Sequence, residues 1–263
     1  MKNFLKSLIL TILHFIRGIL TLSDVFIGKI RYVLRRHVLP QERNAPPPPL
    51  THGNLFPYYD YDNEQRKNSY EHFKKYYKHA VFLETWELRK YSIKKAIEEN
   101  DIEQKKYYLE FGVFTGSSTN FLATELKTKI YGFDSFKGFK EDWHGGNWTK
   151  GGVDLKGKIP DLKKNAVPIK GWVQDTLPKF LNEKKPNINF VHMDMDTYET
   201  SKFVLSNIKP FLSKSCIIIF DDFCNFSGWD VGEYKAFKEI FNDGEYKFLA
   251  FSKFGRQATI QIL

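Results

Sequence analysis

The sequence predicts an α/β domain built on a mostly parallel sheet with helices on both faces, preceded by a basic amphipathic arm. Three observations carry this. From about residue 105, short β-type runs alternate with amphipathic stretches; most of the runs close on glycine or aspartate; and the last two are joined by a turn alone. At 263 residues with 42% hydrophobic content, the chain is long enough for one large domain with a substantial core.

The arm, "MKNFLKSLILTILHFIRGILTLSDVFIGKIRYVLRR", has Lys6, His14, Arg17 and Asp24 placed so that no clean run of about 18 apolar residues forms. At helical spacing Leu5, Leu8, Ile12, Phe15, Ile16, Ile19, Phe26, Ile27 and Ile30 share one face, opposite a basic one. Residues 1–44 therefore read as a helix lying on a membrane surface, as one packing on its own domain or on a second copy in a homo-oligomer, or as a tilted spanning anchor. No small-residue cleavage site follows a short apolar core, which argues against a signal peptide.

Residues 1–40 hold seven Lys/Arg against the single acid Asp24, so the net charge of +9 leaves only +3 for residues 41–263. The basicity thus belongs to the arm, and no nucleic-acid partner is expected. Cys216 and Cys224 match neither a disulfide framework nor a metal ribbon. A reducing, cytoplasmic setting is expected, peripheral at a membrane if the arm binds one.

"APPPPL" (45–50) reads as a semi-rigid spacer and marks the domain boundary, so that residues 51–263 form the main domain. Residues 51–104 look like helices leading into a core at 105–263. The core's candidate strands are "YYLEFGVF", "KIYGFD", "AVPIKGWV", "INFVHMD" and "CIIIFDD", then the hairpin of "EYKFLAFSK" and "RQATIQIL", whose turn makes an antiparallel edge. Residues 141–170 carry lysines, acids and several glycines, a composition expected of a mobile lid.

In an open parallel sheet, ligands sit beyond the carboxyl ends of the strands. The first core strand closes as "LEFGVFTGSST", where Gly112 and Gly116 allow a tight turn and Glu110 projects just before it. This lacks the Gly-x-Gly-x-x-Gly spacing of a dinucleotide site. The second closes at Asp134, a position suited to accept both hydroxyls of a ribose; read alone it fits an ordinary turn aspartate as well. In "GWVQDTLP", Gln174 and Asp175 fit an adenine edge, and Asp175 equally fits a helix N-cap. Ser117 and Ser135, beside the glycine turn and Asp134, complete the candidate cofactor set.

Two acids, Asp194 and Asp196, follow the apolar run in "FVHMDMDTYE", and Asp221 and Asp222 follow the next strand. If these strands are neighbours about 4.8 Å apart, Asp194, Asp221 and Asp222 converge. Like charges so placed call for a cation, and an all-oxygen set suits Mg²⁺ or Mn²⁺. Asp196 fits a catalytic base, but "DTYE" also fits a capping box that would make it the N-cap of the next helix. Metal-dependent glycosyltransferases also place Asp-x-Asp after an apolar strand, and a catalytically silent module tethered by the arm is a third reading. The first leaves "LEFGVFTG" and "FDDF" unexplained, and the second leaves the clustered acids unused.

Taken in order and spacing, "LEFGVFTGSSTNFLA", "GFDSFKGF", "GWVQDTLPKFL", "MDMDTYETSKFVL", "IIIFDDF" and "GWDVGEYKAFKEIF" resemble class I S-adenosylmethionine-dependent methyltransferases of the macrocin O-methyltransferase type. The resemblance spans residues 105–263, about 60% of the chain. It implies a Rossmann-like, seven-stranded sheet with an antiparallel last strand and S-adenosylmethionine as cofactor. It further implies that Glu110, Gly112 and Gly116 line the methionine and ribose end and that Asp134 holds the ribose. Asp194, Asp221 and Asp222 correspond to magnesium ligands and Asp196 to the catalytic base. The implied acceptor is a hydroxyl on a sugar, a glycoconjugate or another small molecule, whose identity the divergent segment 141–165 does not transfer.

Overall fold

The computed structural model describes residues 57–98, 105–143 and 149–263. The expectations for the arm, the proline spacer and residues 144–148 of the lid lie outside these residues. In chain order the elements are α1 (Pro57–Tyr77), β1 (Val81–Leu83), α2 (Thr85–Glu98), β2 (Lys106–Phe111), α3 (Ser117–Glu125), β3 (Ile130–Asp134) and β4 (Ala166–Lys170). There follow α4 (Val173–Lys184), β5 (Asn187–Met193), α5 (Tyr198–Ile208), β6 (Leu212–Phe220), α6 (Glu233–Ile240), β7 (Tyr246–Ser252) and β8 (Ala258–Ile262).

All the strands form one sheet in the order β1-β7-β8-β6-β5-β2-β3-β4, in which β8 alone runs antiparallel to its neighbours. This is a Rossmann-like arrangement with the reversed last strand that the terminal hairpin predicts. The seven expected strands are joined by an eighth, β1, at the edge. Three residues between two helices are too few to show a period, so β1 carries no sequence signal of its own. Residues 166–170, included in the candidate lid, are β4; its Pro168 is tolerated because β4 is an edge strand.

Side chains alternate across the sheet. Tyr107, Leu109 and Phe111 of β2 enter a core shared with Phe73 of α1, Leu177 of α4, Val204 of α5 and Phe237 of α6. Tyr108 turns to the other face, against Leu88 and Ile93 of α2 and Leu122 of α3. On that second face β2 also carries Glu110, which pairs in register with His192 of β5. β2, β5 and β6 are buried on both faces, which is why they read as near-continuous apolar runs.

Register also levels the carboxyl ends. Phe111 pairs with Met193 and Met193 with Phe220, so Gly112, Asp194 and Asp221 leave the sheet side by side. The last rungs are Gly112 N–H to Phe133 O at 3.0 Å, Asp194 N–H to Phe111 O at 2.8 Å and Asp221 N–H to Met193 O at 2.9 Å. Among the described residues, no helix is long and apolar enough to cross a membrane.

Helix α1 belongs to this domain through Phe73, whose ring centroid lies 5.3 Å from Tyr234, 5.4 Å from Trp229 and 5.7 Å from both Phe223 and Phe251. Phe73→Ala is expected to lower the unfolding free energy by about 3–5 kcal/mol, read from denaturant titration of the full chain. A change below about 1 kcal/mol would mean that α1 does not seal this core.

Candidate active site

The turn after β2 is fixed by the approach of two backbones. Gly112 has φ +92°, and a Cβ on it would stand 1.9 Å from the Asp194 carbonyl oxygen, so only glycine fits. Gly116, at φ +78°, is the N-cap of α3; a Cβ there would meet Leu162 Cδ2 at 2.5 Å. Ser117 is the first residue of α3, with its hydroxyl 3.3 Å from that of Thr115.

Asp134, at the end of β3, organises the same turn. Its Oδ2 accepts from Val113 N–H at 2.9 Å and Phe114 N–H at 2.8 Å, and its Oδ1 accepts from Phe136 N–H at 2.7 Å. A carboxylate oxygen has two lone pairs, so Oδ2 is fully used by the turn and Oδ1 keeps capacity for one ligand hydroxyl. Ser135 accepts from Lys137 N–H at 3.0 Å.

Above the strand ends lies a cavity of about 260 Å³, lined on one side by Gly112, Asp134, Ser135, Trp172 and Gln174 and on the other by Asp194, Asp196, Asp221 and Asp222. The segment after β3 supplies a further wall through Phe136, Phe139, Trp143, Val153 and Leu155. Lys140 ties that wall to α4: its Nζ donates to Gln174 Oε1 at 2.9 Å and sits 4.6 Å from the centre of the Trp172 ring. Four predicted residues fall elsewhere: Gly116 and Ser117, at the start of α3, are not part of the lining, and neither are Glu110 and Asp175. Glu110 is fully buried beneath the floor, its Oε1 2.8 Å from His192 Nδ1, and Asp175 lies in the first turn of α4, away from the cavity lining. Trp172 rather than Asp175 occupies the N-cap position, because the helix begins two residues before Asp175.

The second wall concentrates charge. One oxygen each from Asp194, Asp196 and Asp222 lies within 4.8 Å of the others; His192, Asp194 and Asp221 make a second such group. Asp196 does not cap α5. Thr197 takes that position, and Asp196 precedes it at φ +60°, a left-handed conformation that is costly for a residue with a side chain. The strain turns the Asp196 side chain away from the helix terminus and into the acidic cluster.

The electrostatic consequences divide the acids. Burial and the nearby Asp221 carboxylate hold Asp194 well above its ordinary 3.8, and burial with Asp194 and Asp222 does the same to Asp196. Asp222 is raised by burial and Asp221, against the opposing pull of Arg256 Nη1 at 3.0 Å. For Asp221 burial acts upward but is outweighed by His192 and Arg89, so it stays ionised below the usual carboxylate range. Burial likewise opposes charge on His192, yet its hydrogen bonds to Asp221 and Glu110 push it up to about 9. Both ring nitrogens of His192 lie against carboxylates, Nδ1 at 2.8 Å from Glu110 Oε1 and Nε2 at 3.3 Å from Asp221 Oδ1.

Several residues here escape sequence reasoning. Arg89 of α2 reaches Asp221 Oδ1 at 2.6 Å, and Gln257, before β8, donates to the same atom. Glu233, fully buried at the start of α6, accepts from Met195 N–H at 3.0 Å and Asp222 N–H at 3.2 Å, tying the two acidic loops together. His192 had a signal, since it shares a strand face with Asp194. Arg89, Gln257 and Glu233 are far away in sequence and sit in ordinary helical or strand patterns.

Residues 109–223 match the family model described as a methyltransferase domain. Among solved structures, the chain is similar to the calicheamicin methyltransferase CalS11, at 22% identity over 67% of this chain and 77% of that one, with a TM-score of 0.54. An apo structure of CalS11, described as a TDP-rhamnose 3'-O-methyltransferase of calicheamicin biosynthesis, covers 67% of this chain and 78% of its own at 22% identity and TM-score 0.50. The O-methyltransferase NovP is 17% identical over 67% of this chain and 78% of that one, also at TM-score 0.50. Comparison with curated proteins returns no match. The segment from Leu109 to Phe223 thus matches a methyltransferase-domain model, and the strand order around it is the Rossmann-like fold shared with CalS11.

Proposed function

We propose that the protein is an S-adenosylmethionine-dependent, divalent-cation-assisted O-methyltransferase of the macrocin type, acting on a hydroxyl of a sugar or other small molecule. The observation that carries this reading is the single cavity with two unlike walls. One is a glycine turn braced by Asp134, and the other is a cluster of buried acids. S-adenosylmethionine supplies the electrophilic methyl group. Asp134 and Ser135 would meet the ribose and Gln174 the adenine edge, while the close backbone approach at Gly112 leaves room for the methionine end. Glu110 would act from below through His192 rather than by touching the cofactor.

The donor set fits a hard cation. Asp194, Asp196 and Asp222 offer only oxygens within 4.8 Å of one another, Asp221 joins Asp194 in the adjoining group with His192, and without an opposing cation burial drives Asp194 and Asp222 toward protonation. Magnesium or manganese held there would lower the pKa of an acceptor hydroxyl bound beside it. Asp196, inside the same cluster, would receive that proton, and its hydrogen bond to Asp222 keeps it in place. S-adenosylmethionine bound there would give its methyl group to the acceptor oxygen as the carbon–sulfur bond breaks and the neutral thioether leaves, so the acceptor must adjoin the cofactor cavity. A more open cleft of about 480 Å³ does so, sharing Asp221 and Asp222 with it and reaching Arg66, Asn225 and Phe254. The segment 141–165 would close over the pair.

Asp134→Ala is expected to weaken S-adenosylmethionine binding about 10–100-fold in calorimetry, since it strands three backbone N–H groups as well as removing the ribose acceptor. Unchanged affinity would remove Asp134 from the site. Asp194→Asn is expected to abolish Mn²⁺ binding, measured by the same method, while leaving S-adenosylmethionine affinity within about threefold.

The raised carboxyls also set a sign for pH. A carboxyl whose folded value lies above its unfolded one stabilises the fold below the unfolded value and loses that contribution as pH rises through the folded value. For Asp194 and Asp196 the loss therefore begins above 3.8; for His192 it runs from 6.5 up through about 9, in the same direction. In chelator, Asp196→Asn is expected to raise the thermal midpoint near about pH 8 by roughly 2–4 °C, with the gain shrinking towards about pH 4. A gain that is independent of pH would contradict the like-charge account.

A further inference from the structure

Among the described residues, Asp221 is held through one oxygen only. Its Oδ1 receives Arg89 Nη2 at 2.6 Å, His192 Nε2 at 3.3 Å and Gln257 Nε2, three donors from α2, β5 and the β7–β8 connection. His192 is in turn fixed at its other nitrogen by Glu110 Oε1 at 2.8 Å. Arg89 cannot swing away easily: its side chain is 8% exposed and its guanidinium stacks 4.7 Å from the centre of the Trp86 ring. Such a concentration of donors on one oxygen fixes the rotation of the carboxylate and leaves Oδ2 as the atom with coordination capacity. Two of the three donors, Arg89 and Gln257, stand outside the segment matched as a methyltransferase domain.

We infer that Arg89, His192 and Gln257 are positioning residues for the divalent cation, acting by clamping Asp221 Oδ1 so that Oδ2 faces the Asp194–Asp222 cluster. This rests on the cation reading above. The arrangement has a clear physical logic. A carboxylate free to rotate would present either oxygen, and in the metal-free protein it would turn to the nearest cationic side chain. Three donors on one atom remove that freedom before the cation arrives, so less ordering is needed on binding. Arg89 also balances the acids across the floor, while the contacts of Arg89 and His192 with Oδ1 keep them off the ligand-facing side. Helix α2, which carries no acid or base of the cluster itself, thereby becomes part of the site.

The test is Mn²⁺ titration calorimetry on the full-length chain and on Arg89→Met, Arg89→Lys and Gln257→Leu, with S-adenosylmethionine titrated in parallel. Arg89→Met is expected to weaken Mn²⁺ about 10–100-fold, with S-adenosylmethionine affinity within about threefold of wild type. Arg89→Lys should recover most of the loss, because it restores the charge at Oδ1. Adding Asp221→Asn to Arg89→Met should cost far less than Asp221→Asn costs in the wild type, the signature of one shared interaction. Should Arg89→Met fail to fold, Gln257→Leu, which leaves the buried ion pair intact, is expected to weaken Mn²⁺ about 3–10-fold. Equal Mn²⁺ affinity in wild type and both Arg89→Met and Gln257→Leu overturns the inference, as does a parallel loss of both ligands. A wild type that binds no Mn²⁺ overturns the cation reading itself and the positioning role with it.

Discussion

Like charges cannot be buried together unless something answers them, and this constraint organises the carboxyl end of the sheet. The register of β2, β5 and β6 sends Asp194, Asp221 and Asp222 out of the sheet beside one another, and the strained backbone at Asp196 adds a fourth acid. The protein answers part of that charge itself. Arg89 balances Asp221 and Arg256 balances Asp222, while among the described residues Asp194 and Asp196 have no comparable basic partner. The imbalance is local and faces the cavity, which is where an exogenous cation would be most strongly favoured.

The opposite wall follows a different rule. Around Gly112 the need is for close backbone approach, and Asp134 spends its carboxylate on the turn before any ligand arrives. A small neutral turn held by one anchored acid faces a patch of unbalanced acids across one cavity, and on the function proposed above the first would order a sulfonium cofactor and the second would activate an alcohol beside it. An Asp-x-Asp sugar-nucleotide site would give no role to that turn, and the methyltransferase-domain match to residues 109–223 covers the turn and the first acids alike.

The sequence made the fold legible because β2, β5 and β6 are short apolar runs bounded by turn residues, and the terminal hairpin declared the antiparallel edge. β1 was not legible, being three residues whose pairing with β7 is decided by tertiary contacts. In the site, Gly112, Asp134, Asp194 and Asp222 stand where spacing placed them. Asp196 was legible as an acid but not in its local role: the capping-box pattern in "DTYE" is overridden by Thr197, which becomes the N-cap and leaves Asp196 in the left-handed region. The family resemblance implies that Glu110 lines the methionine and ribose end of a cofactor, and its place before the turn shows only that it projects there. The pleat instead directs it to the α2 face, where His192 is its register partner. Arg89 and Gln257 carry no local signal, because their partner Asp221 lies 132 and 36 residues away along the chain.

The central claim is that the acid cluster is a divalent-cation site next to the transferable methyl group. The most direct measurement is paramagnetic relaxation of S-adenosylmethionine carrying a ¹³C-labelled methyl group, bound to the full-length protein with and without Mn²⁺. The account predicts strong relaxation of that methyl signal on adding Mn²⁺, reversed by excess Mg²⁺ and absent in Asp194→Asn. A methyl signal that Mn²⁺ leaves unchanged while the cofactor is bound would contradict it.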